Sequence, residues 1–318
     1  MATRKLVMFG DIGDCLPQLT EMMTGWEIIH GAEAENPVHV QEAEVVYSWG
    51  GLLKPVEVLA QNNNLKWIQI TSAGAEHMPQ AEMAAKGVHL TTASGVHAYC
   101  ISESIFGMIL GRARKLFYLQ KNQMNHVWEH AVPALEIHEK TMGIIGVGSI
   151  GQETARLAKA FRMKVLGYRR SGEADANVDT MYSGEHLCDM LAQCDFVVNT
   201  LPATPYTAGF IGAKEFAAMK NSAYYITIGR GKTTDGQALI DALNNKQIAW
   251  AGLDVVDPEP LPAESPLWDM DNVFIGGHNS GGSDRYAERS TGIFLDNMRD
   301  YLTGKAPGRN LVDYKLGY

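Results

Sequence analysis

The residues with the clearest chemical consequence are three glycines in the string Gly143-Ile-Ile-Gly146-Val-Gly148-Ser149-Ile150-Gly151. The spacing G-x-G-x-x-G at Gly146, Gly148 and Gly151 follows an apolar run and opens an amphipathic stretch. The first glycine permits a tight turn, the second lets backbone approach a pyrophosphate, and the third lets helix pack on strand. N–H groups at a helix start, and the helix dipole, favour phosphate charge, so Ser149 and Ile150 join the candidate dinucleotide contacts. The end of the next strand-like run should select the cofactor. Lys164–Tyr168 is followed by Arg169, Arg170 and Ser171, with Arg169 placed 18 residues past Gly151. An acid near here reads the ribose 2′-hydroxyl of NAD, whereas arginine accommodates the 2′-phosphate of NADP. Two guanidinium forks and a hydroxyl make a phosphate clamp, so NADP(H) is expected to be preferred over NAD(H).

Three later segments read as one constellation: Ile228-Gly229-Arg230-Gly231, Asp254-Val-Val-Asp-Pro258-Glu259-Pro260, and Gly276-Gly-His278-Asn-Ser280-Gly281. Together with the glycine motif they resemble the D-isomer-specific 2-hydroxyacid dehydrogenase family, which includes glyoxylate/hydroxypyruvate reductases. The resemblance covers essentially the whole chain. Thr71-Ser-Ala73-Gly74-Ala looks like the substrate loop, and Ala93-Ser-Gly-Val96-His-Ala matches the stretch entering a long helix. Leu201-Pro202-Ala-Thr-Pro-Tyr-Thr207 and Asp235-Gly-Gln-Ala-Leu fall in the family's order.

This resemblance implies that His278 is the acid/base, Glu259 its carboxylate partner and Arg230 the substrate clamp. It places Asp254 against the nicotinamide carboxamide and the Ala73 and Gly74 amides on the substrate carboxylate. Leu201, Pro202, Thr207, Ile228, Gly229, Ser280 and Gly281 would then line the cofactor with Arg230 and His278. The implied fold is α/β, with two doubly wound parallel sheets. A Rossmann cofactor domain, 101–286, is inserted into a flavodoxin-like catalytic domain made of 1–100 and 287–318. A homodimer is implied as well, with the helix Ile101–Leu119 and the arm through Ala134 at a two-fold interface. The sequence departs from the commonest pattern at four points. Gly277 precedes His278 where proline is usual, Asn279 follows it, Gly236 stands where glutamate is common, and Leu201 replaces a frequent histidine.

The chemistry is coherent without the family. Reduction of a small 2-keto acid to a 2-hydroxy acid needs a hydride donor, a carboxylate anchor and a proton for the developing alkoxide. A nicotinamide cofactor supplies the first. Arg230 offers bidentate donors, and His278 held by Glu259 can titrate near neutrality. Pro258 and Pro260 restrict the backbone beside Glu259. A non-catalytic nucleotide-sensing protein on the same scaffold is the alternative, and the retained Arg, Glu and His speak against it.

Two other signals carry less. His126-Val-Trp-Glu129-His130 matches the inverted zinc-protease string, which needs a helix to bring both histidines to one face. Pro133 limits any such helix and no acidic third ligand follows, so no metal is expected. Trp49-Gly50-Gly51, after a strand-like run, is a plain turn or a substrate contact, and Trp49 and Gly50 are kept as substrate candidates.

These residues need a frame. Strand-like runs appear at Lys5–Phe9, Trp26–His30, Val45–Trp49, Trp67–Ile70 and His89–Thr92. A second series follows at Met142–Val147, Lys164–Tyr168, Phe196–Thr200, Ala223–Ile228, Ala249–Leu253 and Val273–Ile275. Helix-forming stretches such as Pro55–Gln61, Pro79–Lys86, Gln152–Phe161, Asp235–Asn244 and Gly281–Thr303 fall between or after them, the alternation of parallel α/β sheets. The chain of 318 residues is 46% apolar and 20% charged, ordinary for a globular protein of about two domains. Its net charge of −9 argues against nucleic acid and anionic membrane as partners. Four cysteines without a framework suggest a reducing compartment, and with no signal peptide or spanning segment a cytoplasmic location is expected.

Overall fold

The computed structural model describes residues 4–49 and 54–315, in which the apolar runs become twelve short strands joined by helices. Every strand pairing is parallel. Parallel sheets are covered on both faces, which is why their strands read as continuous apolar runs. The chain divides into two compact units, Met1–His97 with Ser283–Tyr318, and Ala98–Gly282.

The first unit holds β1 (Arg4–Met8), β2 (Trp26–His30), β3 (Val45–Tyr47), β4 (Trp67–Gln69) and β5 (His89–Thr91), in the order β2-β1-β3-β4-β5. This is the flavodoxin-like order. Strand register sorts alternate residues between two layers. Val7, Val46, Ile68 and Leu90 face one apolar cluster with Val58, Leu59 and Met83. Leu6, Met8, Val45, Tyr47 and Trp67 face the other, closed by Phe294 and Met298 of the helix Tyr286–Leu302. Trp67 stacks on Phe294 at 5.0 Å. That helix begins five residues later than the apolar pattern suggests. Ser283 accepts the Arg285 N–H through its hydroxyl at 3.1 Å, a local turn that competes with helix.

The second unit holds β6 (Thr141–Ile145), β7 (Lys164–Tyr168), β8 (Thr180–Tyr182), β9 (Phe196–Asn199), β10 (Tyr224–Thr227), β11 (Trp250–Leu253) and β12 (Val273–Ile275). The order β12-β11-β10-β9-β6-β7-β8 is that of a Rossmann sheet with one further strand. β8 is missing from the sequence reading because three residues at a sheet edge give no readable period. Strand direction reverses its winding between β6 and β9, and ligands of open α/β sheets bind at the carboxyl ends of strands beside such a point.

One expectation fails. The apolar stretch Ile101–Leu119 is not a single helix but two, Ala98–Ala113 and Leu116–Met124. Lys115 adopts φ +63°, and the Phe117 ring folds back over Gly111, where a Cβ would collide with it. Phe117 also stacks on Phe274 of β12 at 4.9 Å. Packing of one aromatic ring therefore overrides a helical period that continues through the break.

Candidate active site

The glycine loop leaves β6 with Gly146 at φ +95°, a conformation costly for any residue with a Cβ. Gly148 then starts the helix Ser149–Ala160. Gly151 is buried, and a Cβ there would lie 2.5 Å from the Gly146 carbonyl oxygen. Only glycine allows the helix to sit so close to the strand end. Beyond Gly148 the space where a Cβ would project holds no atom within 4 Å, and Ser149 is exposed. The helix N–H groups are thus open to an incoming pyrophosphate, so the local geometry fits a dinucleotide. Thr200, just after β9, donates its hydroxyl to the Gly146 carbonyl oxygen. In the sequence this residue's only signal is its place beside the winding reversal.

At the end of β7 the two arginines diverge. Arg169 donates to the carbonyl oxygens of Glu173 at 2.6 Å, Ala174 at 2.9 Å and Val147 at 3.3 Å. The Glu173 carboxylate lies 3.4 Å from the same guanidinium. Arg169 therefore binds its own loop to the glycine loop. Arg170 and Ser171 are exposed beside it. Leu201 donates its N–H to the Asn199 side-chain oxygen at 3.1 Å. The Thr207 hydroxyl donates to the Pro202 carbonyl oxygen at 2.6 Å and accepts the Thr204 N–H at 2.8 Å, closing the 202–207 loop.

Arg230 follows β10, after the buried Ile228 and Gly229, and is itself exposed. Its Nη1 donates to the Gly229 carbonyl oxygen at 2.8 Å. Gly231 lies against the backbone of Val256 and Asp257, and a Cβ there would collide with the Val256 carbonyl. This close approach brings the Arg230 turn up to the loop that carries Glu259. Pro258 and Pro260 both follow cis peptide bonds in that loop.

Glu259 and His278 meet. The imidazole Nδ1 lies 2.9 Å from Glu259 Oε2, while Oε1 accepts the Val256 N–H at 3.2 Å. With Nδ1 engaged by a carboxylate, Nε2 is the atom left to exchange a proton. Burial tends to push the Glu259 carboxyl up, but the His278 and Val256 hydrogen bonds and the charges of His278 and Arg230 outweigh it. The group sits below the usual carboxylate range.

Asp254, at the end of β11, is buried and supports the His278 segment. Its carbonyl oxygen accepts the His278 N–H at 2.6 Å. Its Oδ1 accepts the Asn279 N–H at 3.0 Å and the Ser280 N–H at 3.2 Å. The Asn279 side chain, noted in sequence only as a departure, donates to the Gly276 and Gly277 carbonyl oxygens at 3.0 and 2.9 Å. Gly281 accepts from the Cys100 thiol at 3.4 Å.

The remaining candidates belong to the first unit. Trp49 is half-buried just past β3, and Gly50 lies outside the described residues. Ala73 is exposed, and the Gly74 carbonyl accepts from the Ser72 hydroxyl at 2.8 Å. The Tyr286 hydroxyl donates to the Thr71 carbonyl and ties this loop to the last helix. The string from His126 to His130 forms no helix. There Glu129 accepts from Tyr118 at 2.6 Å and Asn122 at 3.0 Å, and the Trp128 Nε1 meets His130 at 3.1 Å. Among the described residues, no three His, Cys, Asp or Glu side chains gather as metal ligands. No helix there is long and apolar enough to cross a membrane.

Comparison with known proteins matches residues 106–280 to the model of "D-isomer specific 2-hydroxyacid dehydrogenase, NAD binding domain". A glyoxylate/hydroxypyruvate reductase B of Salmonella heidelberg is 32% identical over 280 residues, 83% of this chain and 85% of that protein. Among solved structures, a D-isomer specific 2-hydroxyacid dehydrogenase family protein from Aeromonas salmonicida superposes with a TM-score of 0.83 at 31% identity, covering 98% of this chain and 100% of that one. An NADPH-dependent glyoxylate/hydroxypyruvate reductase from Sinorhizobium meliloti, solved with NADP and sulfate, gives 0.78 at 25% identity, covering 99% and 100%.

Proposed function

Because the chain belongs to the D-isomer specific 2-hydroxyacid dehydrogenase family, we propose that it is a reductase of small 2-keto acids that prefers NADPH. The observation that carries this reading is the His278–Glu259 contact of 2.9 Å, at the same strand ends as Arg230 and the glycine loop. A purely sensory nucleotide-binding role would leave that pair unexplained.

When bound, the reduced nicotinamide supplies the hydride. Gly146, Gly148, Ser149, Ile150 and Gly151 would hold its pyrophosphate, with Arg170 and Ser171 at the 2′-phosphate and Arg169 bracing their loop. Leu201, Pro202, Thr207, Ile228, Gly229, Ser280 and Gly281 would line the rest. Protonated His278 donates from Nε2 to the keto oxygen, and Glu259 stabilises the imidazolium through Nδ1. Arg230 pairs with the substrate carboxylate and polarises the carbonyl. The Ala73 and Gly74 amides contribute to the carboxylate, Trp49 contacts substrate, and Asp254 serves both the His278 segment and the carboxamide. By this reading the first unit is the substrate domain and the second the cofactor domain. The protein works in the cytoplasm as a homodimer formed through Leu116–Met124 and the arm after it. The test is cofactor consumption with glyoxylate, hydroxypyruvate and larger 2-keto acids. Substrate-dependent oxidation of NADPH, faster than of NADH, is expected, and no oxidation with any of them overturns the reading.

A further inference from the structure

Two consecutive left-handed residues carry the candidate proton donor: Gly277 has φ +65° and His278 φ +59°. Such a conformation is uncommon for a residue with a side chain, and it relaxes unless its surroundings hold it. The backbone here is held from two sides. Asp254, buried at the end of β11, accepts the N–H groups of His278, Asn279 and Ser280. The carbonyls of Gly276 and Gly277 are gathered by a different group, the Asn279 carboxamide, at 3.0 and 2.9 Å. One NH₂ has two hydrogens, and here it meets two acceptors. The residue before the histidine matters for the same reason. Proline, usual there in the resembled family, fixes φ near about −65° and could not take the conformation of Gly277. Glycine imposes no restraint of its own.

We propose that Asn279 is a positioning residue for the reduction, whose carboxamide holds His278 left-handed and so keeps its Nδ1 on Glu259. The proposal rests on the reading of His278 as proton donor. If the clamp is lost, His278 returns toward negative φ, a rotation that swings the imidazole away from the carboxylate. The charged groups around the imidazole are Glu259 in contact with it, Arg230 acting on Glu259, and Asp254 beneath its backbone. The Asn279 carboxamide bonds backbone carbonyls rather than these charged groups, and its backbone N–H on Asp254 is kept in any side-chain variant, so the effect of a substitution must travel through the histidine's backbone.

The experiment compares wild type with Asn279→Ala, Asn279→Asp, Glu259→Gln and the Asn279→Ala/Glu259→Gln double variant. For each, kcat and KM for glyoxylate are followed across pH with NADPH, alongside NADPH affinity and Tm. Asn279→Asp keeps the shape but sets an acceptor against two carbonyls, so it remains informative if the alanine variant folds poorly. Both Asn279 variants should lose kcat by about 10- to 100-fold, because misplacing a reacting group by an ångström costs on the order of 10²-fold. NADPH affinity should stay near wild type in both, Tm should stay near wild type in Asn279→Ala, and KM for glyoxylate should change far less than kcat. In the Glu259→Gln background the alanine substitution should add less than about threefold, since both changes break one contact. A wild-type kcat in both Asn279 variants, or independent penalties that multiply in the double variant, would overturn the proposal. If His278→Ala itself still reduces glyoxylate, the proton-donor reading has failed instead.

Discussion

Protonation at one contact controls the proposed chemistry. Glu259 is held below its ordinary range by His278, Val256 and Arg230 despite partial burial. A depressed carboxyl favours folding and the charged pair above its ordinary value of 4.5, and that contribution is lost as pH falls through the lower, folded value. The pair is therefore intact through the neutral range, and the acid side is where activity should respond, because Glu259 must be ionised to accept from Nδ1. Replacing Glu259 by Gln should lower kcat/KM at neutral pH and remove the acid-side fall that accompanies protonation of the wild-type carboxyl, measured as kcat/KM against pH. An unchanged profile would reject the pairing while leaving His278 as donor.

Each element that carries a site residue ends in a feature of sequence, and this decides what could be read in advance. Gly146, Gly148 and Gly151 announce themselves by spacing: Gly146 is left-handed, Gly151 admits no Cβ against the Gly146 carbonyl, and Gly148 leaves open space at the helix start. Arg230, Glu259 and His278 were readable because their motifs recur in one order. The bonds that aim them were not. Asn279 and Thr200 act through backbone carbonyls, and Asp254 through N–H groups, none of which leaves a spacing to detect. Strand cores were legible from apolar runs, with ends shifted by one or two residues. The split at Lys115 was not, because a ring closing over Gly111 gives no periodic signal. The β7 arginines show the same limit. By type they are equal, yet Arg169 donates to three backbone carbonyls that brace its loop, and Arg170 stands at the surface beside Ser171. Arg170→Ala should thus lower kcat/KM with NADPH by roughly tenfold or more, a charge-assisted hydrogen bond being worth about 1.5–3 kcal/mol, and spare NADH. Arg169→Ala should weaken both cofactors. Equal loss for both cofactors in Arg170→Ala would remove it from the phosphate site.

Taken whole, the molecule carries a net charge of −9 and an unusual concentration of exposed apolar side chains in one stretch of its second unit. Leu116, Met124, Val127 and Trp128 are all more than half exposed, with Trp128 at 86% and Met124 at 77%. These side chains are the ones the proposed homodimer would cover. On the proposal that the chain pairs there, the wild type should sediment as a dimer at micromolar concentration and the paired substitution Trp128→Ser and Met124→Ser as a monomer, and a wild-type monomer would contradict the proposed assembly.

The most direct test of the central claim is the glyoxylate and hydroxypyruvate reductase activity of His278→Ala, with NADPH binding measured on the same sample. The account predicts that kcat falls by about 10²–10⁴-fold while NADPH binds as in wild type, because the loss is confined to proton transfer. Undiminished reduction by the His278→Ala protein would contradict it.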